Sequence, residues 1–469
     1  MKPTRPTLLA LALAAAFPAF AQSNADLMRE LQALRERVGE LEKKLQEAQA
    51  KPPAAGQWGM TPEQAAEFNR IAIKTEALQD NFVDQGYKGL TISGYMEPAY
   101  LWNQRQNRAG FQFLNPQADG FFYDTSYFGA AALTFAKEMD DGTKWKLTLM
   151  PNRGAGAVVD GMSIVHEASV SVPLTDLQTR MIAGQVPDWS GYEYLEPTLN
   201  PFMTHNLLFD LTLPVSYTGV GLDITRGKWW LRAMLANVNE AIRVQDETSA
   251  ALVFRGDYER GEFSGWGFAG LVGKTVNYNL CKDDACETFG SSNTALFEVD
   301  GWYTRGDLTL GGQIGYGWQK RGAIVPDADE NFRDAQWWGV SGLAGWNFTP
   351  RLQGLVRADY IYNAKNGGGL FGYTGYWPES GVNGLSGDYR NGIGPAGDLD
   401  CIDPTTEGCS RGANRYALSL GLKYIFNEYT TLKAEYRFDG ADRAVFYDVD
   451  SGAYKKNNNL LGAAVLVAF

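Results

Sequence analysis

Glu193 and Glu196 stand three residues apart in a polar segment, interleaved with Tyr192 and Tyr194. Arg232, Arg255 and Arg357 recur further along in alternating segments and supply the opposite charge. Carboxylates facing guanidinium groups across a hydrated gap create a transverse field. Aromatics beside them could stack on sugar rings or aromatic solutes. Such chemistry orients and sorts; it breaks no bonds. The only histidines are His166 and His205, and they complete neither a nucleophile triad nor a metal-ligand cluster. Gly154 and Gly156 have no Lys-Ser or Lys-Thr pair after them, so they form no phosphate loop. No catalytic residue, cofactor or metal is expected, and the chain is not read as an enzyme. Asp398, Asp400 and Asp403 could attract calcium at the cell surface, but a solvated acidic loop is the preferred reading.

The segments that carry these residues alternate with period two from Gly89 onward, beginning with Leu90-Thr-Ile-Ser-Gly-Tyr-Met-Glu97. Seven tight connections stand near residues 140–142, 173–176, 226–228, 259–262, 305–307, 349–351 and 427–429. They alternate with eight longer polar segments at 104–119, 152–161, 188–213, 240–250, 277–293, 320–333, 364–412 and 439–456. Fifteen connections make sixteen strands, with short turns at one end and long loops at the other. The run from Ala444 to Tyr447 resembles a further strand, but parity assigns it to the last long loop. In Thr431–Phe438 the apolar Leu432, Ala434, Tyr436 and Phe438 share one side, and Lys433, Glu435 and Arg437 the other. The same alternation turns Lys146, Arg180, Glu298, Asp300, Asp359, Arg415, Lys433 and Arg437 to the inside. So many inward charges predict a hydrated passage in which residues 188–213 form the constriction.

Residues 1–21 carry a basic start (Lys2, Arg5), an apolar run and the small-residue site Ala19-Phe20-Ala21, the pattern of an export signal. Over 22–50, Leu27, Leu31, Leu34, Val38, Leu41 and Leu45 repeat at alternating spacings of four and three, which predicts a coiled coil. The coil's strand number stays open, a trimer being the state that suits a porin. Residues 51–87 form a linker and a short helix, with Thr61 as N-cap, Pro62 in its first turn, and Phe68, Ile71, Leu78 and Phe82 on its apolar side. No run of 18 apolar residues follows the signal, so membrane-spanning helices are not expected. The formal charge is −12, and loss of Lys2 and Arg5 makes the chain two units more negative. That acidity argues against nucleic acid as a partner. Cys281, Cys286, Cys401 and Cys409 fall into two local pairs, and disulfides within each pair are the expected arrangement for an exported chain.

The fold expected over 88–469 is therefore an all-β transmembrane barrel of sixteen antiparallel strands, preceded by a periplasmic α-helical coiled coil. The function expected is passive diffusion of small hydrophilic solutes or ions through a porin of the outer membrane. Its partners would be copies of itself in a homotrimer, membrane lipid and lipopolysaccharide, with possible peptidoglycan contact through the coil.

The coil, helix and opening strand, followed by Trp102-Asn-Gln-Arg-Gln-Asn-Arg-Ala-Gly-Phe-Gln-Phe-Leu114, resemble an uncharacterised family of beta-proteobacterial outer-membrane porins. A weaker similarity is to trimeric phosphate- and polyphosphate-selective porins. It is carried by His166-Glu167-Ala168, Ala183-Gly184-Gln185-Val186-Pro187 and Glu193-Tyr194-Leu195-Glu196. That similarity implies a third loop folded inward, with Glu193 and Glu196 near the constriction. Phosphate selectivity is not carried over with it, because no lysine or arginine lies between Asp188 and Leu213. An anion-selective porin, or a structural protein tethering the envelope through the coil, stays the alternative reading.

Overall fold

A computed structural model describes residues 62–84, 86–113, 129–151, 164–239, 248–282, 289–327, 329, 331–371, 392–399, 401 and 405–469, together with residues 39, 43 and 44. The chain divides into two units, Met1–Lys88 and Gly89–Phe469. In the first, a helix, α1, spans Pro62–Asp84, starting at the expected proline, and Phe68 and Ile71 are exposed on it. The export signal, the N-cap Thr61 and the heptad positions Leu27, Leu31, Leu34, Val38, Leu41 and Leu45 lie outside the described residues. Gly39, Lys43 and Lys44 within that stretch are helical.

The second unit is a closed antiparallel barrel of sixteen staves. Two staves are interrupted: β1 (Leu90–Met96) continues into β2 (Ala99–Asn103), and β3 (Arg108–Gln112) into β4 (Ala131–Glu138). The next seven staves are β5 (Lys144–Leu149), β6 (Val165–Asp176), β7 (Thr179–Pro187), β8 (Ser216–Arg226), β9 (Trp229–Val238), β10 (Ala251–Gly261) and β11 (Ser264–Cys281). After them come β12 (Phe289–Arg305), β13 (Leu308–Gln319), β14 (Ala335–Asn347), β15 (Leu352–Tyr362), β16 (Arg415–Ile425) and β17 (Thr430–Ala441). A small separate hairpin follows, β18 (Phe446–Asp448) with β19 (Ala453–Lys455). The last stave, β20 (Asn457–Ala468), pairs with β17 on one side and with β1 and β2 on the other. Phe469 and Gly94 exchange backbone hydrogen bonds of 3.1 and 3.0 Å at this closure. A closed sheet leaves no unpaired edge, which is what hydrocarbon demands of any spanning backbone.

All seven expected reversals join the predicted pairs of strands, although residues 173–176 belong to β6 and that turn falls at 177–178. Gly142, Gly227 and Gly306 hold the positive φ that such turns need. The run at Ala444–Tyr447 belongs to the small hairpin in the last long loop, so the stave count stays at sixteen. Two predicted loops are corrected. Residues 108–112 of the first form a strand, because Trp102 pairs with Ala109 across a turn at 104–107. The arms of β11 and β12 extend through most of 277–293, so that hairpin projects beyond its neighbours. Cys401 and Cys409 are joined by a disulfide with a Cα separation of 5.5 Å. Cys286 lies outside the described residues, and Cys281 ends β11.

Alternation separates the two faces of the wall. Leu418, Leu420 and Leu422 are exposed on the outside, while Ser419 between them and Lys433, Glu435 and Arg437 on the adjoining strand are buried inside. Outward aromatics gather at both ends of the staves, among them Trp229, Tyr258 and Trp266 near the turns and Trp338, Tyr362 and Tyr416 near the loops. Rings at two levels around an apolar band fit a wall that meets lipid and two polar interfaces. Leu420→Arg should therefore destabilise the barrel folded into lipid vesicles by about 2–4 kcal/mol. Urea titration of vesicle-folded protein reads this, and an unchanged midpoint would place that face in water.

Candidate functional site

The third long connection, residues 188–215, turns into the barrel, and the reason is visible in its sequence. Asn206 caps a short helix, α2 (Leu207–Thr212), its Oδ1 accepting the Phe209 N–H at 2.9 Å. Leu207, Leu208, Leu211 and Leu213 follow, all buried. They join an apolar cluster with wall residues Met234, Val253, Leu271, Leu296, Trp337 and Ile361, and with Ile324, Val325, Leu370 and Phe371 from two later connections. The wall makes room with glycine. A Cβ on Gly339 would meet Leu208 at 3.1 Å, on Gly421 Phe202 at 2.6 Å, and on Gly462 Met203 at 3.0 Å. The expectation of a wholly hydrated interior is thus corrected. On this side charges and apolar groups pack against the inserted segment.

The inserted backbone has no strand to pair with, so charged side chains of the wall, together with Glu193 of the segment itself, satisfy it. Glu435 Oε2 accepts the Met203 and Thr204 N–H groups at 2.9 and 2.8 Å. Glu193 Oε2 accepts Asn206 N–H at 2.6 Å, and Asp359 Oδ2 accepts Leu207 N–H at 3.3 Å. Arg357 donates to the carbonyls of Thr204 and His205 at 2.7 and 2.9 Å, and Arg437 to that of His205 at 2.6 Å. Lys433 donates to the Pro197 carbonyl at 2.6 Å. The same groups neutralise one another. Arg357 lies 3.0 Å from Glu193 and 3.4 Å from Asp359, with its guanidinium 4.7 Å from the Phe202 ring centroid.

A second anchor holds the start of the segment. Arg255 donates to the Trp189 carbonyl at 2.8 Å and pairs with Asp300 at 2.8 Å and Asp257 at 2.7 Å. Glu298 accepts the Gly191 N–H at 2.8 Å, and the Tyr192 hydroxyl meets Ser341 Oγ at 2.6 Å. Gly191 has φ +77°, and a Cβ there would approach Gln313 Oε1 to 2.9 Å. Nearer the loops, Arg415 reaches the Gly392 carbonyl at 3.0 Å and lies over Phe446. Nearer the turns, Arg180 donates to the Gly142 carbonyl and to Ser171.

On the side of β5 to β10 the segment stands off the wall and leaves a cavity of about 560 Å³. Lys146, Glu167, Tyr194, Glu196, Arg232 and Asp257 line it, with Trp189 and Trp230. Lys146 pairs with Glu167 at 2.7 Å, and Arg232 stacks between Trp189 and Trp230 with Asp257 at 3.7 Å. Of the residues expected to converge, Glu193 does meet Arg357. Glu196 does not meet Arg232, Arg255 or Arg357; it faces His166 at 3.5 Å instead. Thr204, Asn206, Trp189 and Trp230 were not anticipated. Asn206 ahead of an apolar run is a capping signal, and Trp230 shares the inward register of Arg232.

Burial governs ionisation in the inserted segment. It pushes the Glu193 carboxyl up to about 7, against the opposing pull of Arg357 and the Asn206 N–H. Burial lowers His205 to about 3, with Arg357, Lys433 and Arg437 adding to the effect. His205 is therefore neutral at pH 7, donating from Nε2 to the Tyr194 carbonyl at 2.7 Å.

Sixteen antiparallel staves, a lipid-type exterior and an inserted third connection define the class: a closed β-barrel of the transmembrane type. Residues 58–250 and 239–469 match the family described as "Protein of unknown function (DUF3138)", and the chain belongs to that family. No curated protein matches the sequence. Among solved structures, the outer-membrane channel DcaP of Acinetobacter baumannii is 11% identical, with 81% of this chain and 97% of that one covered and a TM-score of 0.49. In-vitro folded OmpT of Vibrio cholerae is 11% identical, with 81% and 97% covered and a TM-score of 0.48. The anion-selective porin of Comamonas acidovorans is 9% identical, with 81% and 99% covered and a TM-score of 0.46.

Two outcomes follow from this geometry. Arg357→Met leaves Glu193, Asp359 and Glu435 buried without their cation, a loss of about 3–5 kcal/mol that releases the segment. Proteolysis of the folded barrel should then cut between 193 and 206, where the parent chain resists cleavage. The raised pKa of Glu193 means that the folded state holds its proton more tightly than the unfolded state. This group's contribution to stability is therefore most favourable near pH 4.5 and is lost as the pH rises through about 7. Melting curves between pH 4.5 and 8 should show this slope, and Glu193→Gln should flatten it.

Proposed function

We propose that this protein is an outer-membrane porin that lets small hydrophilic solutes and ions diffuse through a water-filled passage beside the third connection. The observation that carries this reading is the cavity of about 560 Å³ within a closed barrel, on the side of β5 to β10, where nine charged side chains share the lining with aromatic and aliphatic ones. In this reading Glu196, Tyr194, Arg232 and Lys146 border the passage. Glu193, Tyr192, Arg255, Arg357, Lys433 and Arg437 hold the constriction loop in place, and Glu298, Asp300 and Asp359 complete their ion pairs. Arg180 and Arg415 tie the two ends of the lumen to a turn and a loop. Six carboxylates and three basic groups border the cavity. That excess favours cations over anions, in contrast to the phosphate-selective alternative.

The finer organisation proposed is an export signal at 1–21, a coiled coil at 22–50, a linker and helix at 51–87 and the barrel from 88. The heptads support self-association, proposed here as a homotrimer, with the coil in the periplasm and the barrel wall against lipid and lipopolysaccharide. A structural role, tethering the envelope through peptidoglycan contact of the coil, is the competing reading of that region. It is kept because the heptads precede the barrel and are not needed to close it.

Purified protein in a planar bilayer should give stable conductance in steps of three, with a reversal potential of cation-selective sign in a salt gradient. Glu196→Gln should move that potential toward zero. Correctly folded barrels without conductance overturn the porin reading. Deletion of 24–50 should abolish the triplet steps; unchanged triplets with lost cell-wall association would instead favour the tether.

A further inference from the structure

The cavity beside the third connection carries more recognition chemistry than ion passage needs. Trp230 and Trp302 point inward, yet each keeps 41% of its surface exposed. Trp302 lies across Gly265, where a Cβ would come within 2.8 Å of the indole Nε1, so its ring covers a place where the wall has no side chain. Trp230 stands opposite Asp257, and Trp302 opposite Gly265, which itself pairs with Glu259. The two indoles stand on β9 and β12, three strand spacings or roughly 14 Å apart, with the Asp257 and Glu259 carboxylates on β10 between them. Glycine and tryptophan here build a broad shelf with acceptors along its middle.

Three buried polar atoms of residues lining this cavity have no hydrogen-bond partner within the protein: Trp189 Nε1, Arg232 Nε and Asp188 Oδ2. Trp189 is more than nine-tenths buried. The other oxygen of Asp188 already accepts the Ser190 hydroxyl at 2.9 Å and the Tyr217 hydroxyl. Buried groups of this kind are normally paired, and two donors with one acceptor suit a hydroxyl, which both accepts and donates.

Charge narrows the ligand class further. Six carboxylates against three basic groups disfavour an anion. An organic cation is disfavoured as well, because the Arg232 guanidinium already lies 4.0 Å from the Trp230 ring centroid and 4.8 Å from that of Trp189. What remains is a neutral solute with a flat C–H face and many hydroxyls. We infer that the cavity is a carbohydrate subsite, in which Trp230 and Trp302 stack on pyranose rings while Asp257, Glu259, Asp188 and Arg232 bond to the hydroxyls. This inference rests on the porin reading and names the solute class that the passage handles.

Maltose, titrated onto the intact protein conducting in a planar bilayer, should block ion current saturably, with half-block on the order of millimolar. Trp230→Ala should raise the half-blocking concentration about tenfold, the loss of one stacking surface. Trp230→Phe, which keeps a smaller ring, should give a lesser rise and serves if the alanine variant does not insert. A linear, unsaturable fall in current that is identical in parent and variant overturns the subsite. So does block by choline chloride or sodium phosphate at lower concentration than maltose. Indole fluorescence of the detergent-solubilised protein separates this inference from the porin reading. A saturable change with maltose that is lost in Trp230→Ala upholds the subsite even without conductance, and no change overturns it.

Discussion

A peptide segment placed inside a barrel takes its backbone N–H and C=O groups away from water without giving them a strand to pair with. Each unpaired group of this kind costs about 1–3 kcal/mol. In this protein charged side chains of the wall, with Glu193 of the segment itself, meet that requirement. Glu435, Glu193 and Asp359 take the N–H groups of Met203, Thr204, Asn206 and Leu207. Arg357, Arg437 and Lys433 take the carbonyls of Thr204, His205 and Pro197. Because acids serve donors and bases serve acceptors, the set is close to neutral, and ion pairs such as Arg357 with Glu193 complete it. The bonds are charge-assisted, hence short and strong, but each depends on its neighbours remaining charged and in place.

This use of charge shapes the lumen. Side chains committed to the inserted segment are buried and do not face a solute, so the inward charges of a barrel do not measure the polarity of its passage. The same segment carries the α2 leucines into the apolar cluster formed with the wall and later connections. Glycines at Gly339, Gly421 and Gly462 let it approach so closely that a single Cβ would push it away. Open space is left toward β5 to β10, where Arg232 and its tryptophans stand. The off-centre cavity is thus a consequence of where the wall can satisfy a loop and where it cannot.

The barrel was legible because its constraints are local and repeated. Period-two alternation separates Leu418, Leu420 and Leu422 from Ser419, and turn residues such as Gly142, Gly227 and Gly306 mark where the chain reverses. The site was legible only in part. Alternation turns Arg255, Arg357 and Glu298 inward but cannot say which partner each will find, because Glu193 lies 164 residues from Arg357 in the chain. Glu196 illustrates the limit: three residues from Glu193, it turns to His166 and away from the arginines. The glycine lane was hidden for a related reason. A glycine in a strand gives the same signal whether it eases a bend or admits a loop, and only the position of α2 distinguishes the two.

The central claim is that wall charges hold the third connection as firmly as a strand would. Hydrogen exchange of the intact barrel in detergent, followed by mass spectrometry, tests it directly. The account predicts that the amides of residues 203–207 exchange as slowly as those of β16 and β17. Exchange at the rate of an unstructured loop, with the barrel strands protected, would contradict it.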